Sequence, residues 1–151
     1  FNMIKKYKGL WLYGISGSGK SFASKYLKSK IKNSFLVDGD KIREINNDDL
    51  GYTIKERKKQ LLRLLRLSNL IITEGYFPIV SSVYLDKKTY EKLKKYKIKV
   101  IEILREKNKI NIKLKYKKNV IGKDLKLPRL NTIKLFNDKN FKKKLKINLF
   151  N

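Results

Sequence analysis

Short apolar runs alternate along this chain with longer stretches in which apolar residues recur at every third or fourth position. Leu10-Trp11-Leu12-Tyr13 is a run of the first kind, and Leu61, Leu64 and Leu65 belong to a stretch of the second kind. Short runs are typical of buried strands, and the wider spacing is typical of amphipathic helices. The pattern predicts strands at 10–13, 34–38, 77–84, 98–104 and 132–136, and helices at 21–31, from 53 to about 75, at 86–96 and at 138–147.

The alternation of predicted strands and helices favours a parallel sheet with helices on both faces. Thr53 and Glu56 have the spacing of a capping box, which places the start of the long helix. Gly75 is a suitable residue just beyond the end of that helix. The sequence has neither an internal repeat nor a Pro/Ser-rich linker, so we expect a single domain over residues 1–151.

The chain contains no cysteine and no histidine. This composition excludes disulfides, thiolate or imidazole metal ligands and a Ser-His-Asp triad. The remaining chemistry uses carboxylates, lysine, arginine and backbone amides. The apolar runs are shorter than the roughly 20 residues that a membrane helix needs, and the start lacks the pattern of a secretory signal. We therefore expect a cytoplasmic enzyme without a membrane partner.

The net charge of +26 changes the range of possible partners. Strongly basic chains often bind nucleic acids. However, only six of the 39 basic residues are arginine, which nucleic-acid surfaces favour for bidentate and stacking contacts. Lysine, asparagine and isoleucine are frequent and Ala23 is the only alanine, a combination expected from codon bias in an AT-rich genome. Codon bias with affinity for small anions is the favoured explanation, and a nucleic-acid partner is the alternative.

Residues 14–21, with the sequence GISGSGKS, match the phosphate-binding pattern G-x-x-x-x-G-K-[ST]. Between a strand and a helix, such glycines let backbone amides and the helix N-terminus surround phosphate oxygens. Lys20 can reach the β- and γ-phosphates of ATP, and the Ser21 hydroxyl can bind Mg²⁺. A glycine-rich turn without a ligand is the alternative, which the position between strand and helix disfavours. The candidate nucleotide-binding residues are Gly14, Ser16, Gly17, Ser18, Gly19, Lys20 and Ser21.

Two carboxylates, Asp38 and Asp40, follow the second predicted strand directly. The carboxyl ends of parallel strands face the crevice in which α/β proteins bind ligands. Beside a phosphate-binding loop, one of these carboxylates could hold the metal or accept the proton of a substrate hydroxyl. The alternative is a turn in which Asp40 caps a following helix.

Two further features concern anion binding. Arginine is scarce in this chain, so Arg57 and Arg63 on the long predicted helix are candidates for binding phosphate or sulfate. A solvated helix face is the alternative for both arginines. A polar and basic stretch at about 105–127, which includes Lys123, could form a lid that closes over phosphates, or a plain surface loop.

Four segments together resemble the adenylylsulfate kinase family: GISGSGKS at 14–21, DGDKIR at 38–43, DLGYTIKERKKQLLR at 49–63 and, more weakly, NVIGKDLKLP at 119–128. The resemblance implies an α/β P-loop NTPase fold of the nucleoside-kinase-like kind. This fold is a three-layer sandwich with a mostly parallel five-stranded sheet flanked by helices. It also implies transfer of the ATP γ-phosphate to the 3′-hydroxyl of adenylyl sulfate, with Mg²⁺ as cofactor.

The resemblance also implies roles for individual residues. Lys20, Asp38 and Asp40 are the expected catalytic residues, and Ser21 and Asp38 are the expected metal ligands. The expected partners are a small nucleotide substrate and a second copy of the chain. The expected substrate-binding residues are Asp40, Arg43, Arg57, Gln60, Ser81 and Lys123.

The chain departs from the family pattern in the half expected to bind the acceptor. Gln60 stands where the family usually has Asn, residues 81–85 lack the family's Ser-Pro pair, and residues 105–110 replace its Arg-Asp lid segment. A related branch that phosphorylates cytidine diphosphoramidate during capsule modification shares the NVIGKDL segment and also lacks Ser-Pro. Adenylyl sulfate is the first expectation. A nucleotide-dependent nucleic-acid-binding module with weak catalysis is a further alternative, and a GTPase is disfavoured because no Asn-Lys-x-Asp segment occurs.

Overall fold

The computed structural model of the chain describes residues 3–110, 114 and 116–150. Five strands form one parallel sheet in the order β2-β3-β1-β4-β5. The first strand lies at the centre of the sheet, and all of its residues are buried. The strands are β1 Gly9–Tyr13, β2 Ser34–Asp38, β3 Phe77–Ser82, β4 Ile98–Leu104 and β5 Ile133–Phe136.

Helices cover both faces of the sheet, as the alternating pattern predicts. One face packs against α1, α5 and a short 3-10 helix at Met3–Lys6. The other face packs against α3 and α4, and α2 joins this layer through its contacts with α3. The helices are α1 Lys20–Lys30, α2 Gly39–Ile45, α3 Ile54–Thr73, α4 Lys87–Lys95 and α5 Phe141–Phe150, with a second 3-10 turn at Lys107–Lys109.

The sheet separates two hydrophobic clusters because successive side chains of a strand point to opposite faces. Leu10 and Leu12 pack against α1 and α5, whereas Trp11 and Tyr13 pack against α3 and α4. The parallel register places Tyr13 beside Ser82, and Asp38 beside Ser81. The carboxyl ends of β1, β2 and β3 therefore meet at one edge of the sheet, where ligands bind in α/β proteins.

The structure corrects two details of the sequence interpretation near this edge. A short helix, α2, follows β2, and its N-cap is Asp38, whose side chain accepts hydrogen bonds from the backbone amides of Asp40 and Lys41. The alternative in which Asp40 is the cap is wrong. The last helix begins at Phe141 rather than near 138, because Asp138 accepts the Asn140 amide in a turn before it. The capping box of Thr53 and Glu56 is confirmed at the start of α3.

Candidate functional site

The phosphate-binding loop connects β1 to α1, as its sequence pattern predicts. Gly14 and Gly19 have φ angles of 150° and 107°, in the region that favours glycine. A Cβ atom at Gly14 would collide with the carbonyl oxygen of Ile103, and one at Gly19 would collide with the side chain of Asn137. Gly14 is thus required both by backbone angle and by space, and Gly19 is required by backbone angle. The loop therefore lies close against β4 and the segment after β5.

Lys20 lies under this loop. Its Nζ donates hydrogen bonds to the carbonyl oxygens of Gly14 at 2.7 Å and Ile15 at 2.9 Å. Burial lowers the pKa of Lys20 to about 8, and the negative charges of Asp40 and Asp38 oppose this shift. The structure therefore brings the lysine within electrostatic reach of both carboxylates that the sequence singled out.

Asp38 ends β2 and begins the turn into α2. Its Oδ1 accepts hydrogen bonds from the amides of Asp40 at 2.9 Å and Lys41 at 3.4 Å. This cap fixes the turn that carries both carboxylates, which we call the acid turn (Asp38–Asp40). Gln60 of α3 supports the turn, because its Nε2 donates to the carbonyl oxygen of Gly39 at 3.0 Å.

Two buried arginines stand beside the acid turn. Arg43 is 6% exposed, and its Nη1 donates to the carbonyl oxygens of Leu50 and Gly51. Its guanidinium lies 4.4 Å from the centre of the Tyr52 ring. Burial lowers the pKa of Arg43, and the nearby Tyr52 opposes the shift. Backbone carbonyls therefore hold a permanently charged side chain at a fixed place in the wall of the site.

Arg57 is 4% exposed and links α3 to two other segments. Its Nε donates to the carbonyl oxygen of Tyr52 at 3.0 Å, and its Nη2 donates to the carbonyl oxygen of Asn119 at 3.0 Å. The same Nη2 donates to the Tyr116 hydroxyl at 3.3 Å. Arg57 therefore joins the loop before α3 to the segment that the sequence interpretation treats as a lid.

One large cavity, of about 440 Å³, brings these groups together. Arg63 is not among the residues that line it: this side chain forms a bidentate ion pair with Asp49. Of the candidate site residues, the cavity lining includes Ser16, Gly17, Gly19, Lys20, Ser21, Asp38, Asp40, Arg43, Arg57, Gln60 and Ser81.

The other candidate residues lie near this cavity but do not line it. Gly14 begins the loop, and Ser18 is fully buried within it. Lys123 lines a second pocket of about 270 Å³ on the outer side of the loop, together with Ile15 and Ser16. Residues 111–113 and 115 of the expected lid lie outside the described residues.

Sequence reasoning missed several residues of the site. The rings of Tyr52 and Tyr116 stack with their centroids 3.6 Å apart and an interplanar angle of 14°, and both line the large cavity. Asn137 donates from Nδ2 to the carbonyl oxygen of Ser18 at 2.9 Å, and Arg105 donates to that of Gly17 at 3.4 Å. Asn137 and Arg105 could have been identified from the sequence, because each directly follows a predicted strand and therefore lies at the same edge of the sheet.

The donor set fits a magnesium ion that is held mainly by a nucleotide. Ser21 and Asp38 offer a hydroxyl and a carboxylate to the same cavity, and Mg²⁺ is usually held by one or two carboxylates together with substrate phosphates. Among the described residues no group of three or more acidic side chains could hold a metal ion alone. These residues therefore suit a metal that arrives with phosphate.

A phosphate-binding loop between a central parallel strand and its helix, with carboxylates at the next strand end, defines the class of P-loop proteins. The family model for adenylylsulphate kinase matches residues 6–122. The chain therefore belongs to the adenylylsulphate kinase family. The mostly parallel five-stranded sheet and the family expected from the four matching segments are both confirmed.

The chain is similar in sequence to several proteins with family names. The adenylyl-sulfate kinase of Burkholderia ambifaria is 31% identical over 83 residues, which are 52% of this chain and 46% of that protein. The bifunctional enzyme NodQ of Rhizobium tropici is 36% identical over 78 residues, 49% of this chain and 12% of that protein. The chain therefore matches less than half the length of these curated relatives.

Similarity to a solved structure extends over almost the whole chain. The Mycobacterium tuberculosis APS kinase CysC, solved in complex with AMPPNP and APS, has a TM-score of 0.75 at 19% identity. The match covers 94% of this chain and 95% of that one. At this identity the likeness shows a shared fold. Within the described part of the chain, no helix has the length and apolar character needed to cross a membrane.

Proposed function

We propose that the chain is an ATP-dependent kinase that transfers the γ-phosphate to the 3′-hydroxyl of adenylyl sulfate. The observation that carries this proposal is that the phosphate-binding loop, the acid turn and two buried arginines line one cavity. Membership of the adenylylsulphate kinase family supports the choice of acceptor. The solved neighbour whose complex contains AMPPNP and APS supports a donor and an acceptor site in this fold.

The loop side of the cavity binds the donor. Backbone amides and the N-terminus of α1 surround the β- and γ-phosphates of ATP, and Lys20 neutralises charge on them. Ser21 and Asp38 would hold Mg²⁺, which supplies further charge neutralisation when bound with ATP. Since the cavity also extends past the phosphate-binding loop to Ser81 and Tyr84 at the carboxyl end of β3, it has room for an acceptor beside the phosphates.

The acid turn and the arginines position the acceptor. A carboxylate of the turn accepts the proton of the 3′-hydroxyl, whose oxygen attacks the γ-phosphorus while the bond to the bridging β–γ oxygen breaks and ADP leaves. Arg43 and Arg57 bind the anionic groups of the acceptor, since a buried guanidinium favours phosphate and sulfate. Gln60 holds the acid turn from behind through Gly39.

Cytidine diphosphoramidate is a second candidate acceptor, because the wall of the site departs from the family pattern at residues 81–85. Residues 81–85 form a wall without the family's Ser-Pro pair, in which the Ser82 hydroxyl donates to the carbonyl oxygen of Tyr84 at 2.9 Å. Ser81, Ser82, Val83 and Tyr84 all line the cavity. A changed wall at this place alters the space for the acceptor and leaves the phosphate-binding loop unaffected.

The proposal extends to the organisation of the chain. It is a single kinase domain over residues 1–151 with a lid at about 105–127, it acts as a homodimer, and it works in the cytoplasm with ATP and Mg²⁺. The contacts of Arg57 with Tyr116 and Asn119 support a lid that packs on α3. Light scattering on the purified protein tests the dimer, and a monomeric mass at micromolar concentration contradicts it.

ATP consumption by the purified protein with Mg²⁺ tests the proposed reaction. The assay compares adenylyl sulfate, cytidine diphosphoramidate and no acceptor, with the Lys20→Ala variant as the matched control. We expect turnover with adenylyl sulfate that the variant loses while its circular dichroism stays unchanged. Turnover with cytidine diphosphoramidate alone establishes the second candidate. Turnover with neither acceptor, or full activity in the variant, overturns the proposal.

A further inference from the structure

Acidic residues are absent from one layer of the molecule. Neither residues 1–37 nor residues 139–151 contain an Asp or Glu. Within the described part, the helices of these two segments are the 3-10 helix at Met3–Lys6, α1 and α5, which all cover the same face of the sheet. Segments at opposite ends of the chain therefore meet in space to form a layer whose helices carry basic charges only.

Six exposed lysines lie on the two helices α1 and α5 of this layer. Helices α1 and α5 pack against each other, and none of the six forms an ion pair within the described residues. Lys144 is the member of α5 that does pair, with Asp138 in the turn before the helix. We call the surface the basic face and define it by Lys25, Lys28 and Lys30 of α1 and Lys142, Lys143 and Lys146 of α5.

The opposite layer is also rich in lysine, but acidic residues are mixed with its basic ones. Lys94 pairs with Glu91 on α4, and Arg63 of α3 pairs with Asp49. Codon bias that enriches lysine acts on the whole chain and gives no reason for acidic residues to be missing from one layer. The distribution therefore indicates a surface that favours a polyanion.

Aromatic rings lie among the lysines of the basic face. Phe22 is 48% exposed and lies one helical turn from Tyr26 on α1. Its ring stacks on Phe141 of α5 at a centroid distance of 6.1 Å. The Nζ of Lys142 lies 5.7 Å from the Phe22 ring and 5.8 Å from the Tyr26 ring, and the Nζ of Lys30 lies 5.8 Å from the Tyr26 ring.

We propose that the basic face binds single-stranded nucleic acid, independently of the kinase reaction. Lysines with interleaved aromatic rings match what a single strand offers, since its phosphates bind cations and its unpaired bases stack on rings. A second copy of the chain is a poor occupant of this face, because the face packed on itself would set lysine against lysine, so the proposed homodimer would use another surface. An anionic lipid surface would also attract the lysines, and the second test below separates it from a single strand.

The first test compares two charge-reversal variants with the same change in net charge. One carries Lys25→Glu, Lys142→Glu and Lys146→Glu on the basic face, and the other carries three substitutions on exposed positions of α4. We measure the Kd for a fluorescent 20-nucleotide single-stranded DNA between 50 and 300 mM NaCl. The control substitutions are Lys88→Glu, Lys92→Glu and Lys95→Glu.

We expect the basic-face variant to lose at least about tenfold in affinity, with the slope of log K against log salt reduced by about 2, since each phosphate contact contributes roughly 0.7. The α4 variant should keep most of the affinity and most of the salt dependence. Equal weakening in the two variants, or no binding by the unmodified protein, overturns the proposal. The measurement needs no ATP or acceptor, so failure of the kinase assay leaves it interpretable.

The second test separates nucleic acid from other polyanions. Phe22→Ala should weaken binding of the oligonucleotide roughly 5- to 150-fold, as expected for the loss of one stacked base, and Phe22→Tyr should restore it. Polyglutamate of matched charge and vesicles with about 30% phosphatidylserine, chosen to carry the surface charge of an anionic leaflet, serve as comparison ligands. Binding of either comparison ligand as tight as that of the oligonucleotide, or an unchanged Kd in Phe22→Ala, overturns the assignment.

Discussion

Lys20 is a buried cation whose charge is only weakly supported before a phosphate arrives. Its hydrogen bonds go to the neutral carbonyl oxygens of Gly14 and Ile15, and the carboxylates of Asp40 and Asp38 only partly offset the effect of burial. A pKa of about 8 means that the lysine begins to lose its proton in mildly alkaline solution. A bound phosphate stabilises the charged form and raises the pKa again.

This pKa predicts how ATP affinity depends on pH. At about pH 7 and below, free Lys20 is almost fully protonated, so the affinity for ATP should be nearly flat. Above the free-state pKa of about 8, binding takes up a proton, and the Kd should rise about tenfold per pH unit. Calorimetric titration of ATP between about pH 7 and 9.5 measures the effect, at pH values where the phosphates are fully ionised. Lys20→Arg keeps its charge and should flatten the profile. A flat profile in the unmodified protein contradicts the depressed pKa.

Asp40 lies in the acid turn, but the cap of α2 is made by Asp38. We therefore expect Asp40→Asn to leave the turn folded and to lower kcat by at least about 100-fold, the size expected for a general base. The Kd for ATP should change by less than about threefold, because Asp40 is exposed and a single exposed charge contributes little to binding. Steady-state kinetics and ATP titration measure the two quantities. Equal losses in both would assign Asp40 a structural role.

Asn137 holds the phosphate-binding loop from outside. Its Nδ2 bonds to the Ser18 carbonyl oxygen and lies against Gly19, while its backbone amide donates to Leu104 at 2.7 Å. A carbonyl held outward helps the loop's amides to point inward. Loss of this one hydrogen bond in Asn137→Ala should weaken ATP binding about 2- to 12-fold. Asn140→Ala, an exposed site three residues on, is the control, and an unchanged Kd in Asn137→Ala would show that the loop needs no such support.

At the scale of elements, the loop before α3 and the lid segment form one unit through two tyrosines and an arginine. Tyr52 and Tyr116 stack at 3.6 Å, and Arg57 bonds to both segments. Glu56 stiffens the loop side, since its carboxylate accepts the amides of Gly51 at 2.8 Å and Thr53 at 3.2 Å. The segment around Tyr116 and Asn119, which we propose as part of a lid, therefore packs against a fixed partner.

The stack predicts a difference between two substitutions at Tyr116. Tyr116→Ala removes the ring and should speed tryptic cleavage after Lys117 and Lys118 about 2- to 12-fold, the factor expected for an aromatic pair when cleavage follows local opening. Tyr116→Phe keeps the ring and should cleave close to the unmodified rate. Mass spectrometry of the fragments over time measures both rates. Tyr96→Ala, which removes an exposed ring elsewhere, is the control; equal rates in all proteins would refute the packed lid.

The elements that could be predicted from sequence are those with a complete local pattern. The five strands were expected from short apolar runs, and α3 from its capping box and leucine spacing. Helix α2 was not predicted because its seven residues, Gly39–Ile45, are too few to show a period. The order of the strands in the sheet could not be predicted either, because it depends on which apolar runs pair with each other across the whole chain.

The residues of the site also divide into those that the sequence could predict and those that it could not. The loop at 14–21 and Asp38 are adjacent in sequence to the strands that place them. The residue pattern and its position after a strand were therefore enough to predict them. The stack of Tyr52 on Tyr116 joins residues far apart along the chain, and no local pattern marks it. Arg63 shows a further limit: arginine scarcity suggested an anion site, but its helical position directs it to Asp49 instead.

At the scale of the whole molecule, the large excess of positive charge is offset by few ion pairs. The net charge is +26, and the ion pairs within the described residues join exposed or partly exposed groups, such as Lys109 with Glu106 and Lys94 with Glu91. Pairs of this kind contribute about 0–1 kcal/mol each. Repulsion among the lysines is therefore the larger electrostatic effect on stability, because folding brings the charges closer together.

This balance predicts that salt stabilises the protein. Raising NaCl from about 20 to 500 mM shortens the screening length to a few ångströms, and we expect the Tm to rise by at least about 2 °C, which corresponds to roughly 1 kcal/mol for a domain of this size. Differential scanning calorimetry measures the shift. The triple Lys→Glu variants of the basic face and of α4 lower the net charge equally and should both show a smaller rise. A Tm that falls with salt would mean that attractive pairs outweigh the repulsion.

Sulfate that raises the Tm further than chloride at equal ionic strength, but not in Lys20→Ala, would separate anion binding at the phosphate loop from screening of the surface.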